Sequence, residues 1–117
     1  MKIERIIQVL GAEMLCGEEL LQDDIQAACG SDLMSDVLAF VEGHTVLLTG
    51  MTNPHVVRTC EMVDIRCVVF VRGKRPTDEI VDLAKEAGMC ILCSPHTLYT
   101  SCGLLFQAGL RGHEKRC

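Results

Sequence analysis

The run Thr45-Val-Leu-Leu-Thr49 decides the fold, because it is a short apolar stretch that stops at Gly50 and gives way to a helix start at Asn53-Pro54. The same order of apolar run, turn and helix start returns twice, at a spacing of about 22 residues. The second and third units are Cys67–Val71 with Arg72-Gly73 and Pro76-Thr77, and Met89–Cys93 with Ser94-Pro95 and His96-Thr97. Three such units in series predict βαβ crossovers and a parallel sheet. Because the runs do not alternate with polar residues, both faces of this sheet should be covered.

The segments around these units predict the remaining elements. An N-terminal helix ends at Gly11, and short strands are expected over 12–16 and 25–29, on either side of an acidic loop. The helix that follows has Ser31 as its predicted N-cap, and its predicted inner face is Leu33, Val37, Leu38 and Val41. Further helices are expected over 54–64, 77–87 and 98–108. We therefore predict a three-layer α/β/α domain over residues 1–110, with a mostly parallel sheet, and a flexible tail over 111–117.

Composition and charge limit the partners of this domain. Hydrophobic residues make up 49% of the chain and charged residues 23%, so the polar cover is thin and a homodimer is expected. The net charge of −5 argues against nucleic acid, because neutralising phosphates needs a basic face. No apolar run approaches the ~20 residues of a membrane span, and Glu4 and Arg5 interrupt the N-terminal helix in a way that a signal peptide would not. We expect a cytoplasmic protein.

The eight cysteines do not predict a disulfide framework or a metal site. Most lie inside apolar patterns, where a reduced cytosolic thiol behaves as a small hydrophobe. Cys90 and Cys93 are three apart on a predicted strand, which sends their sulfurs to opposite faces and disfavours a metal or thioredoxin-type site. A catalytic pair of Cys102 and His96 would need an orienting group and an oxyanion site, for which there is no local signature. Phosphate-binding G-x-x-x-x-G-K-[ST] and dinucleotide-binding G-x-G-x-x-G motifs are absent as well.

We accordingly expect no cofactor, no metal and no enzymatic activity. The three remaining histidines are isolated and are predicted to lie on the surface: His44, His55 and His113.

The turns after the three strands carry the candidate ligand-binding residues. Right-handed crossovers place the carboxyl ends of parallel strands at one edge of the sheet, and ligands of open α/β sheets bind in the crevice there. Helix N-termini at that edge offer N–H groups that suit phosphate or carboxylate. The candidates are Thr49, Gly50, Thr52, Asn53, Arg72, Gly73, Ser94, His96, Thr97, Thr100 and Ser101. The alternative interpretation is that they are ordinary turns and caps, with Asn53 and Ser94 as N-caps.

With these turns in place, the chain resembles a DRTGG domain, of the small stand-alone kind found in anaerobic bacteria. The similar stretches are Gly30–Asp36, Leu48–Pro54, Arg72-Gly73 followed by Pro76, and Ser94–Ser101. The resemblance covers nearly the whole chain and implies the α/β/α fold of MurF and of the N-terminal domain of HPr kinase/phosphorylase. It also implies a regulatory or ligand-sensing role without an established reaction, in company with CBS domains, phosphotransacetylases, iron hydrogenase subunits or sensor histidine kinases. The literal Asp-Arg-Thr-Gly-Gly string is missing here, and so is the catalytic domain of HPr kinase.

Three functional hypotheses follow. The first is a non-enzymatic regulatory domain that binds a small anionic or nucleotide-like ligand in the crevice, where Arg72 supplies charge and the Gly50 and Gly73 turns allow close backbone approach. Thr97, Thr100 and Ser101 would orient the ligand. The alternative is a protein–protein interaction module, accessory to a histidine kinase or iron hydrogenase system, with an exposed apolar docking face. The weaker third hypothesis is a metal or redox protein that uses some of the cysteines.

Overall fold

The computed structural model describes residues 1–41 and 43–112. The helices are α1 (Ile3–Leu10), α2 (Met34–Phe40), α3 (Pro54–Met62), α4 (Asp78–Glu86) and α5 (Leu98–Gln107), and the strands are β1 (Glu13–Cys16), β2 (Ala27–Gly30), β3 (Thr45–Thr49), β4 (Cys67–Phe70) and β5 (Cys90–Cys93). A short 3-10 helix over Glu18–Leu20 lies in the expected acidic loop. The tail was predicted over 111–117, and its residues from position 113 onward, including His113, lie outside the described residues.

The five strands form one mostly parallel sheet in the order β1-β5-β4-β3-β2, which confirms the predicted sheet. β2, β3, β4 and β5 run parallel and neighbour one another in chain order, whereas β1 pairs antiparallel with β5. The register sets Thr49 beside Phe70, and Phe70 beside Cys93. The carboxyl ends of the central strands are therefore level, and the turns that follow them lie side by side.

Helices cover both faces of the sheet. Along β3, Val46 and Leu48 pack with α1 and α5, while Leu47 packs on the opposite face with α2, α3 and α4. Every residue of β3, β4 and β5 is buried, as their apolar runs predict. Burying an aliphatic side chain of this size contributes about 1.5–3 kcal/mol. Cys90 and Cys93 belong to the two different apolar layers, which confirms that their spacing sends the two sulfurs to opposite faces.

Side-chain caps begin three of the helices at the predicted turns. Asn53 accepts a hydrogen bond from the N–H of His55 at 2.9 Å and begins α3. Thr77 and Thr97 cap α4 and α5 in the same way, each accepting from the N–H three residues on. Ser94 was the alternative cap for the last helix, and that interpretation is wrong, because the N-cap position of α5 is Thr97.

Two predictions for α2 are wrong. Ser31 is not its N-cap: the helix begins at Met34, and Ser31 Oγ accepts from the N–H of Leu33 at 3.0 Å in the turn before it. The predicted inner face also fails in part, since Val37 is fully buried but Leu33 and Leu38 are exposed by 57% and 43%. The reason is tertiary, because α2 follows the edge strand β2 and has fewer neighbours to cover its apolar side.

None of the described helices has the length and apolar character needed to cross a membrane. His44 and His55 are exposed, as predicted.

Candidate functional site

The carboxyl edge of the sheet is closed by hydrogen bonds that continue beyond the strands. The N–H of Val71 donates to the carbonyl of Thr49 at 3.2 Å, and the N–H of Arg72 donates to the carbonyl of His96 at 2.7 Å. The carbonyl of Ser94 accepts from the N–H of Gly73 in the same way at 2.8 Å. The parallel strands also follow one another without the reversal of order that opens a wide crevice in doubly wound sheets. The edge is therefore compact, and it offers two shallow features.

The first feature, the Gly50 cluster, consists of Asp32, Thr49, Gly50 and Arg72. Asp32 Oδ1 accepts two hydrogen bonds, one from the Gly50 N–H at 2.7 Å and one from Thr49 Oγ1 at 3.0 Å. The Thr49 hydroxyl in turn accepts from the N–H of Met51 at 3.2 Å, and Thr49 is fully buried. The carboxylate of Asp32 thus ties the turn after β2 to the end of β3.

Arg72 reaches the same place from β4. One guanidinium nitrogen, Nη2, lies 3.3 Å from the point that a Cβ on Gly50 would occupy, and both Asp32 carboxylate oxygens lie 3.5 Å from that point. Arg72 is exposed, and within residues 1–41 and 43–112 it has no ion-pair partner. Its backbone is left-handed, with φ of +61°, which costs about 1–2 kcal/mol in a residue other than glycine. The missing side chain of Gly50 leaves a space that a cation and an anion both approach.

The second feature is a cavity of about 230 Å³ between the turns after β4 and β5 and the start of β1. Its lining residues are Gly11, Glu13, Gly73, Arg75, Cys93, Ser94 and Pro95. Arg75 Nη1 lies 2.7 Å from Glu13 Oε2, and both side chains are exposed. Such a surface ion pair contributes little to stability, but it does neutralise the cation that this cavity offers to an anion.

Two of the hydroxyl residues predicted to bind ligand, Ser94 and Ser101, instead form a buried hydrogen-bonded pair, which we call the serine brace. Ser94 Oγ and Ser101 Oγ lie 2.8 Å apart and both residues are fully buried. The N–H of His96 donates to Ser94 Oγ at 3.2 Å. The serine brace fixes the first turn of α5 to the end of β5. Thr97 caps the helix, while Thr100 is exposed and Thr52 is half-buried in the turn that precedes Asn53.

Of the predicted site residues, the structure therefore brings together Thr49, Gly50 and Arg72 in one cluster, and Gly73 and Ser94 at the neighbouring cavity. Asp32 was missed as a member, because the candidates were taken from the turns after the three repeated strands, and Asp32 follows β2. A signal was available in the sequence. Asp32 is the second residue after Gly30, the last residue of a parallel strand, and strand ends in such a sheet meet at one edge.

A further cavity of about 280 Å³ lies at the opposite edge of the sheet, and its lining residues are Ile3, Asp23, Asp24, Ile25, His44, Asp64 and Arg66. The three carboxylates there outnumber the two cations beside them, Arg66 and the N-terminal ammonium, which lies 2.9 Å from Asp24 Oδ1. The Coulomb field of that edge disfavours an anionic ligand.

The cysteines of the described segments are free. Burial raises the pKa of the Cys60 thiol to about 12, and burial also raises the pKa of Cys102. A thiol with a raised pKa is a poor nucleophile and a poor metal ligand at neutral pH. Among residues 1–41 and 43–112, no group of three or more His, Cys, Asp or Glu side chains is arranged to hold a metal ion.

Comparison with known protein families places residues 5–108 in the DRTGG domain. The chain belongs to the DRTGG domain family. A solved structure with the same fold is the CBS and DRTGG domains of the regulatory region of Clostridium perfringens pyrophosphatase, complexed with its activator, diadenosine tetraphosphate. The TM-score is 0.72 at 18% sequence identity, over 92% of this chain and 46% of that chain, so this DRTGG domain spans under half of its neighbour. No curated protein matches the chain.

Proposed function

We propose that this DRTGG domain is a non-enzymatic regulatory domain that senses a small anionic, nucleotide-like ligand at the carboxyl edge of its sheet. The observation that carries the proposal is the exposed guanidinium of Arg72, held beside Gly50 with no ion-pair partner in the described part of the chain. In a chain of net charge −5, an unpaired cation at a strand end is the natural attachment point for a phosphate.

The neighbouring groups define what else the ligand would meet. Gly50 has no side chain, so a ligand can approach the backbone between Arg72 and Asp32. The first turn of α3 follows directly, with Thr52 and Asn53 at its entrance and the positive end of the helix dipole behind them. On the other side, His96 precedes α5, Thr97 is its N-cap and Thr100 lies in its first turn.

Asp32 restricts the chemistry of that ligand. Its Oδ1 already accepts the Gly50 N–H, so this backbone donor is not available to an anion. Its negative charge also repels a bare phosphate placed beside it. A ligand that combines a phosphate for Arg72 with a hydroxyl or amino donor for Asp32 Oδ2 avoids both conflicts, and a nucleotide offers both groups.

The solved DRTGG neighbour supports the choice of ligand class and nothing finer. That regulatory region was crystallised with a dinucleotide activator, but this chain corresponds to only part of it. The proposed roles of Arg72, Gly50 and Asp32 therefore rest on the geometry of this chain alone. Gly73, at the adjacent cavity, is proposed to contact the ligand only if it extends towards Arg75, and the buried Ser94 is proposed to support the wall of that cavity.

The test is calorimetric titration and thermal shift of the reduced protein with AMP, ATP, diadenosine tetraphosphate and inorganic phosphate. A ligand at a hundred times its dissociation constant adds about 2.7 kcal/mol, which raises the melting temperature of a domain of this size by on the order of 10 °C. Arg72→Gln removes the charge and keeps a side chain at the left-handed position. Losing a hydrogen bond to a charged group costs about 1.5–3 kcal/mol, so affinity should fall by roughly 10- to 150-fold.

The matched control is Arg58→Ala, because Arg58 is an exposed arginine on α3, a helix that begins at the same edge. It should bind as the wild type does. A panel with no saturable ligand, or an Arg72→Gln variant with unchanged affinity, would remove the Gly50 cluster as the sensing site.

A further inference from the structure

Helix α5 presents an apolar face to the outside of the domain, and at one end of this face the guanidinium of Arg111 lies 3.8 Å over the ring of Phe106. Residues 98–110 contain no Asp, Glu, Lys or Arg. Ser101 and Leu105 are buried on its inner side, whereas Tyr99 and Phe106 are exposed by 79% and 55%. Gly103 lies between the two aromatic residues, and nothing stands within 4 Å of the position its Cβ would take. These positions follow the i, i+4, i+7 spacing of one helix face.

A shallow groove of about 350 Å³ runs along this surface, and its lining residues are Tyr99, Cys102, Gly103 and Phe106. We name the surface formed by these four residues the α5 face. A second groove of about 180 Å³ shares Cys102 and Phe106 with it and continues to the edge strand β2. Of the five large apolar side chains that are exposed in the described segments, four lie on α5 or at α2, the helix that leads out of β2: Leu33, Leu38, Tyr99 and Phe106. Because α5 and α2 cover opposite faces of the sheet, Tyr99 and Phe106 belong to the α5 face, and Leu33 and Leu38 do not.

We propose that the α5 face is the interface of a homodimer. Charge favours a second copy as the occupant. Two chains of net charge −5 repel each other over most of their surfaces, but 98–110 brings no like charges together. The cation at the end of this face is Arg111, whose guanidinium lies 3.8 Å over the Phe106 ring, and a second copy of net charge −5 does not repel it.

Shape favours the same partner. In a two-fold contact each copy uses the same patch, so the patch has to complement itself. Two α5 helices that cross antiparallel at Gly103 bring their backbones close at the glycines and set Tyr99 of each copy beside Phe106 of the other. The open space at Gly103 and the aromatic side chain at each end of the α5 face are what such a crossing requires.

The area sets the extent of the contact. Tyr99 and Phe106 from two copies contribute on the order of 500 Å², about half of the ~1,000 Å² that a specific interface needs. The remainder has to come from the groove towards β2, whose lining includes Ala28, Gly30 and Gly112. The expected dimer is therefore one that dissociates on dilution.

Analytical ultracentrifugation over roughly two decades of protein concentration tests the proposal. The wild type should sediment as a concentration-dependent dimer. Gly103→Glu places a charge at the centre of the interface and should raise the dimer dissociation constant about tenfold or more. Its monomer should still fold, because the position is exposed, has open space around it and gains a better helix former.

Phe106→Glu is a second disrupting variant, and Met62→Glu is the matched control. Met62 is an exposed large apolar side chain that lies away from the α5 face, on α3, and is exposed by 74%. Met62→Glu should dimerise as the wild type does, and circular dichroism should show all three variants folded. A wild type that is monomeric throughout, a Gly103→Glu variant that dimerises unchanged, or a Met62→Glu variant that loses the dimer each overturns the proposal.

Discussion

Replacing Asp32 with alanine removes the acceptor that joins the turn after β2 to the end of β3. Asp32 Oδ1 accepts from the Gly50 N–H at 2.7 Å and from Thr49 Oγ1 at 3.0 Å. Hydrogen bonds to a charged group contribute about 1.5–3 kcal/mol each when they are shielded from solvent. Asp32 is exposed, so water can replace the carboxylate at Gly50, but the fully buried Thr49 is harder for water to reach. We expect Asp32→Ala to lower the free energy of unfolding by about 1–2 kcal/mol.

Asp32→Asn separates the hydrogen bonds from the charge. The amide oxygen can take the place of Oδ1 and accept both bonds, now as neutral bonds of roughly half the strength. The loss should stay below about 1 kcal/mol. Asp82→Ala is the matched control, because Asp82 is an exposed aspartate on α4 with no hydrogen bond to its side chain in the described part of the chain, and it should stay within about 0.5 kcal/mol of the wild type.

Urea unfolding followed by circular dichroism measures these differences directly, and melting temperatures check them at about 4 °C for each kcal/mol. The reasoning predicts the order wild type, Asp32→Asn, Asp32→Ala from most to least stable. An alanine variant as stable as the wild type would show that the two bonds add nothing. An asparagine variant as unstable as the alanine variant would show that charge, and not hydrogen bonding, holds this turn.

Three more predictions test other parts of the fold. Gly17→Ala should lower the free energy of unfolding, measured in urea, by more than about 3 kcal/mol. The reason is that φ of Gly17 is +95° and the new Cβ would lie 2.5 Å from the Cα of Cys90 in β5, and a variant as stable as the wild type would contradict this. Ser101→Ala breaks the 2.8 Å bond to buried Ser94 and should cost about 1–2 kcal/mol, whereas the exposed Thr100→Ala should cost less than half as much by the same assay. Burial raises the pKa of Cys60 from 9.0 to about 12, so at pH 7 this residue should carry about a thousandfold less thiolate than an unburied cysteine. It should therefore resist iodoacetamide until urea unfolds the protein, and equal labelling of the folded and unfolded protein would refute this. Since its pKa is higher in the folded state, this thiol should leave stability unchanged below about pH 9 and reduce it as the pH rises towards 12.

Much of the architecture could be predicted because the signals are local. A run such as Cys67–Val71 is apolar on both faces, and only a central strand of a covered sheet buries both. Asn53 before Pro54 marks the beginning of a helix because its side chain can accept the exposed N–H of His55. These features depend on residues within a few positions of one another, and folding preserved them.

The site was predicted less completely, because its contacts join distant residues. Asp32 and Gly50 are 18 positions apart, and their hydrogen bond exists only because β2 and β3 are neighbours in the sheet. The buried pair of Ser94 and Ser101 shows the opposite error. Their hydroxyls look available in the sequence, but the first turn of α5 folds them against each other.

Periodicity and turn chemistry were enough to establish which segments are strands and helices, that the sheet is mostly parallel, and that the turns after the strands meet at one edge. Packing in three dimensions was needed to place Arg72 beside Asp32 over Gly50, and to leave Leu33 and Tyr99 uncovered. The cause is the order of the strands. It places β2 at an open edge and β3 between β2 and β4, and a side chain's partners follow from that placement.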